Sequence, residues 1–197
     1  MTLDEIYKGV AACNKCDLYK TATRVVPGEG PENPTILFIG EAPGWHEDQQ
    51  GRPFVGPAGQ FLEQLLASVG LKRSQVYIAN VVKHRPPGNR DPLPNEVKAC
   101  RPWLDTQMEL LRPKLVVTLG RHSLAAFFPR ETISKARGVP REQGGVLYYP
   151  MYHPAAALHQ GGLRKVIEQD MLKIPELLKR LESKSAQEAS PKQLSLL

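Results

Sequence analysis

The sequence predicts an α/β protein: a three-layer α/β/α fold with a central, mainly parallel four-stranded sheet. Two observations carry this. Short, nearly continuous apolar runs recur along the chain, as in strands covered on both faces. Between them lie stretches with helical spacing of apolar residues, and such alternation builds a parallel sheet with helices on both sides.

In chain order the strands are "TILFIG" (35–40), "VYIANVV" (76–82), "KLVVTLG" (114–120) and "VLYYPMYH" (146–153). Helical patterns cover about residues 59–69, 94–111, 121–128 and 163–181. After Leu181 the chain turns polar and small, as "ESKSAQEASPKQ", and then ends in "QLSLL". Residues 1–182 therefore form one domain, and 183–197 are expected to be a flexible tail with an apolar tip.

With 197 residues the chain can bury a sizeable core. Its 41% hydrophobic and 23% charged content is that of a soluble globular protein, which sets fibrous and disordered classes aside. A net charge of +6 favours polyanions such as nucleic acid. Asp4 and Glu5 stand where a signal peptide is basic, and no long apolar stretch follows. No export signal or membrane span is expected, and the cytoplasm is the expected compartment. Three cysteines do not make a disulfide framework; in a reducing compartment they read as metal ligands or redox thiols.

In open α/β sheets, ligands bind beyond the carboxyl ends of the strands. Three strand ends carry chemistry: "GEAPG" after the first, "NVVKH" after the second and "YHPAA" after the fourth. Cys13 and Cys16 have metal-ligand spacing. Cys100 follows far downstream, on a helix with apolar Val97, Leu104, Met108 and Leu111, where it also reads as a plain buried thiol. Zinc accepts three cysteines and a histidine, whereas an iron–sulfur cluster normally takes four thiolates. The spacing leaves both open.

Four segments together support a family resemblance: "GEAPGWHEDQQGRPFVGPAG" (40–59), "ANVVKHRPPGNRDPLPNEVKACRPWL" (79–104), "VVTLGRHSLAAFF" and "MYHPAAAL". They resemble the family 4 uracil-DNA glycosylases, iron–sulfur members of their superfamily, and the likeness spans about residues 1–181. It implies excision of uracil from single- or double-stranded DNA, leaving an abasic site for base excision repair. It also implies a 4Fe–4S cluster, with Cys13, Cys16 and Cys100 matching three ligands. The fourth ligand falls at His84, where the family carries cysteine. A histidine also stands there in covalent-trapping relatives, where it looks like a ligand, and histidine ligation is chemically acceptable, as in Rieske centres. Those relatives capture the sugar with another histidine on an inserted loop. Here "RPPGNRDPLP" is short and lacks one, so ordinary turnover is expected.

The resemblance also assigns roles. Phe54 would stack on the uracil face, and Asn80 would read its edge. An amide matches the acceptor O4 and donor N3–H of uracil, and cytosine reverses that pattern. His153 would donate a hydrogen bond to O2 of the leaving uracil. Glu41 would stabilise the cationic sugar or orient water. The backbone of Gly40 and Ala42 would line the pocket. The best-known branch of the superfamily has its water-activating aspartate at the position of Ala42. Glu47 and Asp48 are alternative carboxylates, expected to face solvent. Arg85, Arg90, Arg164 and Lys165 are candidate DNA contacts, and Leu158 a candidate wedge. The tail peptide, opening on Gln193 and closing on Leu197, resembles sliding-clamp docking peptides. A monomer is expected. The rival readings are a covalent-trapping glycosylase, one for another base such as hypoxanthine, a non-catalytic iron–sulfur damage binder, and a zinc protein.

Overall fold

The computed structural model describes residues 2–189. Five strands form one sheet: β1 (Ile36–Gly40), β2 (Tyr77–Asn80), β3 (Leu115–Leu119), β4 (Arg141–Gln143) and β5 (Val146–Met151). Their order is β2-β1-β3-β5-β4. The first four in that order are parallel, and only β4 runs antiparallel, against β5. This corrects the four-stranded expectation. β4 is short and polar, with no apolar run to mark it. Gly144 and Gly145, with φ of 60° and 78°, make the tight turn that a two-residue hairpin requires.

Strand alternation divides the core in two. Ile36, Phe38, Val117 and Tyr149 face one side, where α3 (Pro57–Ser68), α8 (Gly161–Met171) and α9 (Ile174–Ala189) cover them. Leu37, Ile39, Tyr77 and Val116 face the other, under α1 (Leu3–Ala11) and α4 (Pro94–Leu111). Full burial of each such side chain contributes about 1.5–3 kcal/mol, so both layers are needed. The expected helix over 163–181 is two helices, and the second continues past Leu181 to Ala189. A short helix over Trp45–Gln50 (α2) was not anticipated. Short α-helices cover Arg121–Ala125 (α5), Ile133–Ala136 (α6) and Pro154–His159 (α7). No helix among the described residues is long and apolar enough to cross a membrane. The peptide 193–197 lies outside the described residues.

The parallel register matters for function. Gly40 pairs with Asn80, and Leu119 with Met151, so four strands end on the same side.

Candidate active site and cluster site

A cavity of about 160 Å³ opens beyond those strand ends, lined by Ala42, Gly44, Glu47, Phe54, Ala58, Asn80, His153 and Ala155. Four expected site residues, Ala42, Phe54, Asn80 and His153, therefore meet at one place. Gly40 packs directly against Asn80 and Phe54. A Cβ there would overlap Asn80 Oδ1 and come to 2.6 Å of Phe54 Cζ. Gly40→Ala should therefore cost more than about 100-fold in activity with the fold intact, since misplacement of about 1 Å costs that much. Circular dichroism and a single-turnover assay would check this, and full activity would refute it.

Phe54 is held in a strained conformation, with φ of 50°. Such strain costs about 1–3 kcal/mol and persists only where the surroundings impose it. Arg73 donates to the carbonyls of both Pro53 and Phe54. Glu47 accepts from the N–H groups of Val55 at 2.9 Å and Gly56 at 2.8 Å, and from Gly44 N–H at 3.1 Å. It thus ties the "GEAPG" loop to the "RPFVG" loop. Asp48 is buried and accepts from Thr23 and Arg24 N–H. The expectation that both carboxylates face solvent is corrected: they are backbone anchors.

Asn80 is buried at the end of β2, and its Oδ1 has no hydrogen-bond partner. Buried polar atoms are rarely left so, and the cost is about 1–3 kcal/mol. Its carbonyl receives the ammonium of the wholly buried Lys83 at 2.8 Å; the same Nζ donates to Gln107 Oε1 at 2.6 Å. The backbone is thus pinned and the amide faces the cavity.

His153 caps α7. Ala155 N–H donates to its Nδ1 at 3.1 Å, so the ring proton belongs on Nε2. Phe54 stacks against it, with ring centroids 5.4 Å apart and planes 27° apart. Desolvation pushes the imidazole down to about 4. The direction of that shift keeps the ring neutral near pH 7.

A larger cavity of about 550 Å³ adjoins the first, sharing Ala42, Gly44, His153 and Ala155. Glu41 lines it with Arg90, Asp91, Arg121 and His159. Burial raises the Glu41 carboxyl above its ordinary value, a shift that His122 opposes and Asp91 reinforces. Glu41, Asp91 and His122 bring their donor atoms within 4.8 Å of one another. Neither Asp91 nor His122 was singled out from sequence. For His122 the signal is "GRHSL", at the end of the third strand; Asp91 carries none.

The basic candidates divide. Arg90 lines the larger cavity, but its guanidinium is committed to Glu96 in a two-armed ion pair of 2.9 and 2.7 Å. Arg85 donates to Asn89 Oδ1. Arg164 packs over Phe61, bonds Gln64 and Glu168, and lines a different groove. Its expected DNA contact at the pocket mouth is corrected. Lys165 is exposed, and Leu158, on α7, is 48% exposed.

The three cysteines gather under α1 and the start of α4. Cys100 feels the charges of Cys16 and Cys13, and burial raises both Cys100 and Cys16. Each sulfur receives an N–H: Trp103 Nε1 at 3.3 Å to Cys13, and the backbones of Leu18 and Lys83 to Cys16 and Cys100. His84 is buried and lines a cavity with Cys13, Tyr19 and Arg24; desolvation lowers its pKa, which keeps a lone pair free. Burial alone disfavours thiolates, so such a cluster of thiols with N–H donors aimed at sulfur suits a bound metal group. The donor set fits a cluster of three thiolates and one neutral imidazole. His84 does not line the Phe54–Asn80–His153 cavity.

The family model described as the uracil DNA glycosylase superfamily matches residues 27–173. A type-4 uracil-DNA glycosylase of Sulfurisphaera tokodaii is 47% identical over 186 residues, 89% of this chain and 84% of that one. The chain belongs to the type-4 uracil-DNA glycosylases. The Archaeoglobus fulgidus type-4 uracil-DNA glycosylase is also 47% identical, over 89% of this chain and 93% of its own. A solution NMR structure from Methanosarcina acetivorans shares the fold, with a TM-score of 0.51 at 12% identity, covering 79% of this chain and 99% of that one.

Proposed function

We propose that the smaller cavity receives a uracil flipped out of DNA and that the larger one beside it receives the sugar. The chain hydrolyses the N-glycosidic bond of deoxyuridine in DNA, a repair reaction, and leaves an abasic site. The observation that carries the base assignment is the buried Asn80 side chain, which lines the cavity and whose Oδ1 has no partner. Uracil N3–H would satisfy it, and the amide NH₂ would meet O4. Cytosine would leave both groups unpaired.

Phe54 stacks on the ring; such stacking is worth about 1–3 kcal/mol. As the C1′–N1 bond breaks, its electron pair leaves with uracil. The Nε2–H of neutral His153 donates to O2 and stabilises the departing anion. The water oxygen bonds C1′, and its proton passes to Glu41. Arg121 and Arg90 border the larger cavity, where backbone phosphates would pass.

Cys13, Cys16, His84 and Cys100 would hold a 4Fe–4S cluster. Bound there, it supplies a cross-link between the N-terminal segment and the β2–α4 connection. It supplies no chemistry to the sugar. A neutral imidazole in place of a thiolate leaves one negative charge fewer and raises the reduction potential. The reading extends to the tail, 193–197, as a peptide that docks on a sliding clamp, and to a monomer acting in the cytoplasm.

Incubation with an oligonucleotide bearing one uracil, then alkali and a denaturing gel, tests the activity. Cleavage at uracil is expected; a protein–DNA adduct surviving denaturation would mean covalent trapping instead. His84→Cys should keep the visible absorption of the cluster and lower its potential, whereas His84→Ala should lose the absorption. Retained absorption in His84→Ala would remove His84 from the ligand set.

A further inference from the structure

Glu41 does not stand alone at the sugar side of the site. We propose that His122, anchored between Asp91 and Arg121, is a positioning residue that aims and charges the Glu41 carboxylate for its work on the attacking water. The inference rests on the glycosylase reading of the same site.

The geometry is specific. His122 Nε2 lies 3.7 Å from Glu41 Oε2 and 3.4 Å from Asp91 Oδ2. Arg121 Nη2 pairs with the same Asp91 oxygen, and Arg121 Nε lies 3.0 Å from His122 Nε2. These groups come from three separate parts of the chain. Glu41 follows β1, Arg121 and His122 open α5 after β3, and Asp91 lies in the connection before α4. Glu41, Asp91 and Arg121 line the cavity that adjoins the base pocket, with Arg90, His153 and His159 as its remaining charged or titratable lining, and His122 stands behind them against Glu41 and Asp91.

The arrangement favours a positioning network over a cation site, because the guanidinium of Arg121 already occupies the Asp91 carboxylate. One imidazole nitrogen cannot accept from Arg121 and donate to a carboxylate together. Arg121 Nε donates to His122 Nε2 while Arg121 Nη2 pairs with Asp91, so the ring is held beside both the Glu41 and the Asp91 carboxylates.

The environment adds a sign. His122 lowers the Glu41 carboxyl pKa and Asp91 raises it. Removing each should displace the acid limb of the activity profile in opposite directions. In His122→Gln the limb moves to higher pH, and in Asp91→Asn to lower pH. A merely structural role would not separate them.

The experiment measures single-turnover cleavage of a uracil oligonucleotide from pH 4.5 to 8.5, together with binding of a non-cleavable 2′-fluoro-deoxyuridine oligonucleotide. His122→Gln should slow cleavage at neutral pH by about tenfold or more, with affinity for the uncleavable DNA kept within about twofold. His122→Asn serves as a second variant, read by the same two assays and by thermal melting. An unchanged rate and profile in folded His122→Gln or His122→Asn overturns the proposal, as does a rate loss fully matched by lost DNA affinity. Limbs of His122→Gln and Asp91→Asn that move in the same direction overturn it too. Wild-type protein that leaves uracil in place overturns this inference and the glycosylase reading together. Active wild type with indifferent variants overturns only this inference.

Discussion

Replacing His153 with leucine should lower kcat on a uracil oligonucleotide by about 10²–10³-fold, or about 2.7–4 kcal/mol. The reason is geometric. Ala155 N–H takes the Nδ1 lone pair, so the ring presents Nε2–H to the cavity. That donor faces negative charge which exists only as uracil departs, so its loss should appear in kcat. Affinity for uncleavable DNA should stay within about threefold, because the ground-state contact is weak. Stopped single-turnover kinetics beside equilibrium binding would separate the two. A loss confined to KM would assign His153 to substrate binding instead.

The same residue has a pH consequence. Desolvation pushes its pKa down to about 4, so it is neutral over the working range. Protonation below that value would place a hydrogen on Nδ1 facing Ala155 N–H and turn the ring. The His153 limb should therefore lie near or below pH 4. Burial raises the Glu41 carboxyl above its ordinary value, so loss of ionised Glu41 should come first as pH falls. Glu41→Gln should lower the plateau rate and remove that limb from the profile. A limb that persists unchanged would mean another group controls it.

Asn80→Ala should reduce kcat/KM on uracil by about 10³-fold or more, since sites built to bond a substrate edge lose that much when the match is gone. Its effect on stability should run the other way. Asn80 Oδ1 is buried and unpaired, an expense of about 1–3 kcal/mol in the free protein. Alanine removes that atom, and the space it leaves opens into an existing cavity. The melting temperature should hold or rise while catalysis collapses. Melting by calorimetry beside the cleavage assay checks both halves. A variant that melts well below wild type would show that the amide is held by partners and is not a waiting reader of uracil.

Much of this was legible along the chain. The four parallel strands read directly because each is buried on both faces and so is nearly all apolar. Strand β4 did not, because an edge strand of three polar residues has no such signature. Phe54, Asn80 and His153 could be nominated from their motifs. The role of Glu47 could not, because three backbone N–H groups from two loops define it, and no side-chain pattern marks such a bond. Arg164 misled for a related reason. A cation following a motif looks like a phosphate contact until its neighbours Gln64, Glu168 and Phe61 are known.

By itself, then, the sequence determined the layers, the strand ends that carry chemistry, and the residues able to bind a base or a metal group. Those depend on local periodicity and residue type, which are one-dimensional. Tertiary structure alone decided that Glu41, Asp91 and His122 meet, that His153 holds its proton on Nε2, and that Asn80 Oδ1 lacks a partner. Each is a relation between atoms brought together by parallel register and the packing of loops and helices at the strand ends, and short-range patterns in the chain carry no record of such distances.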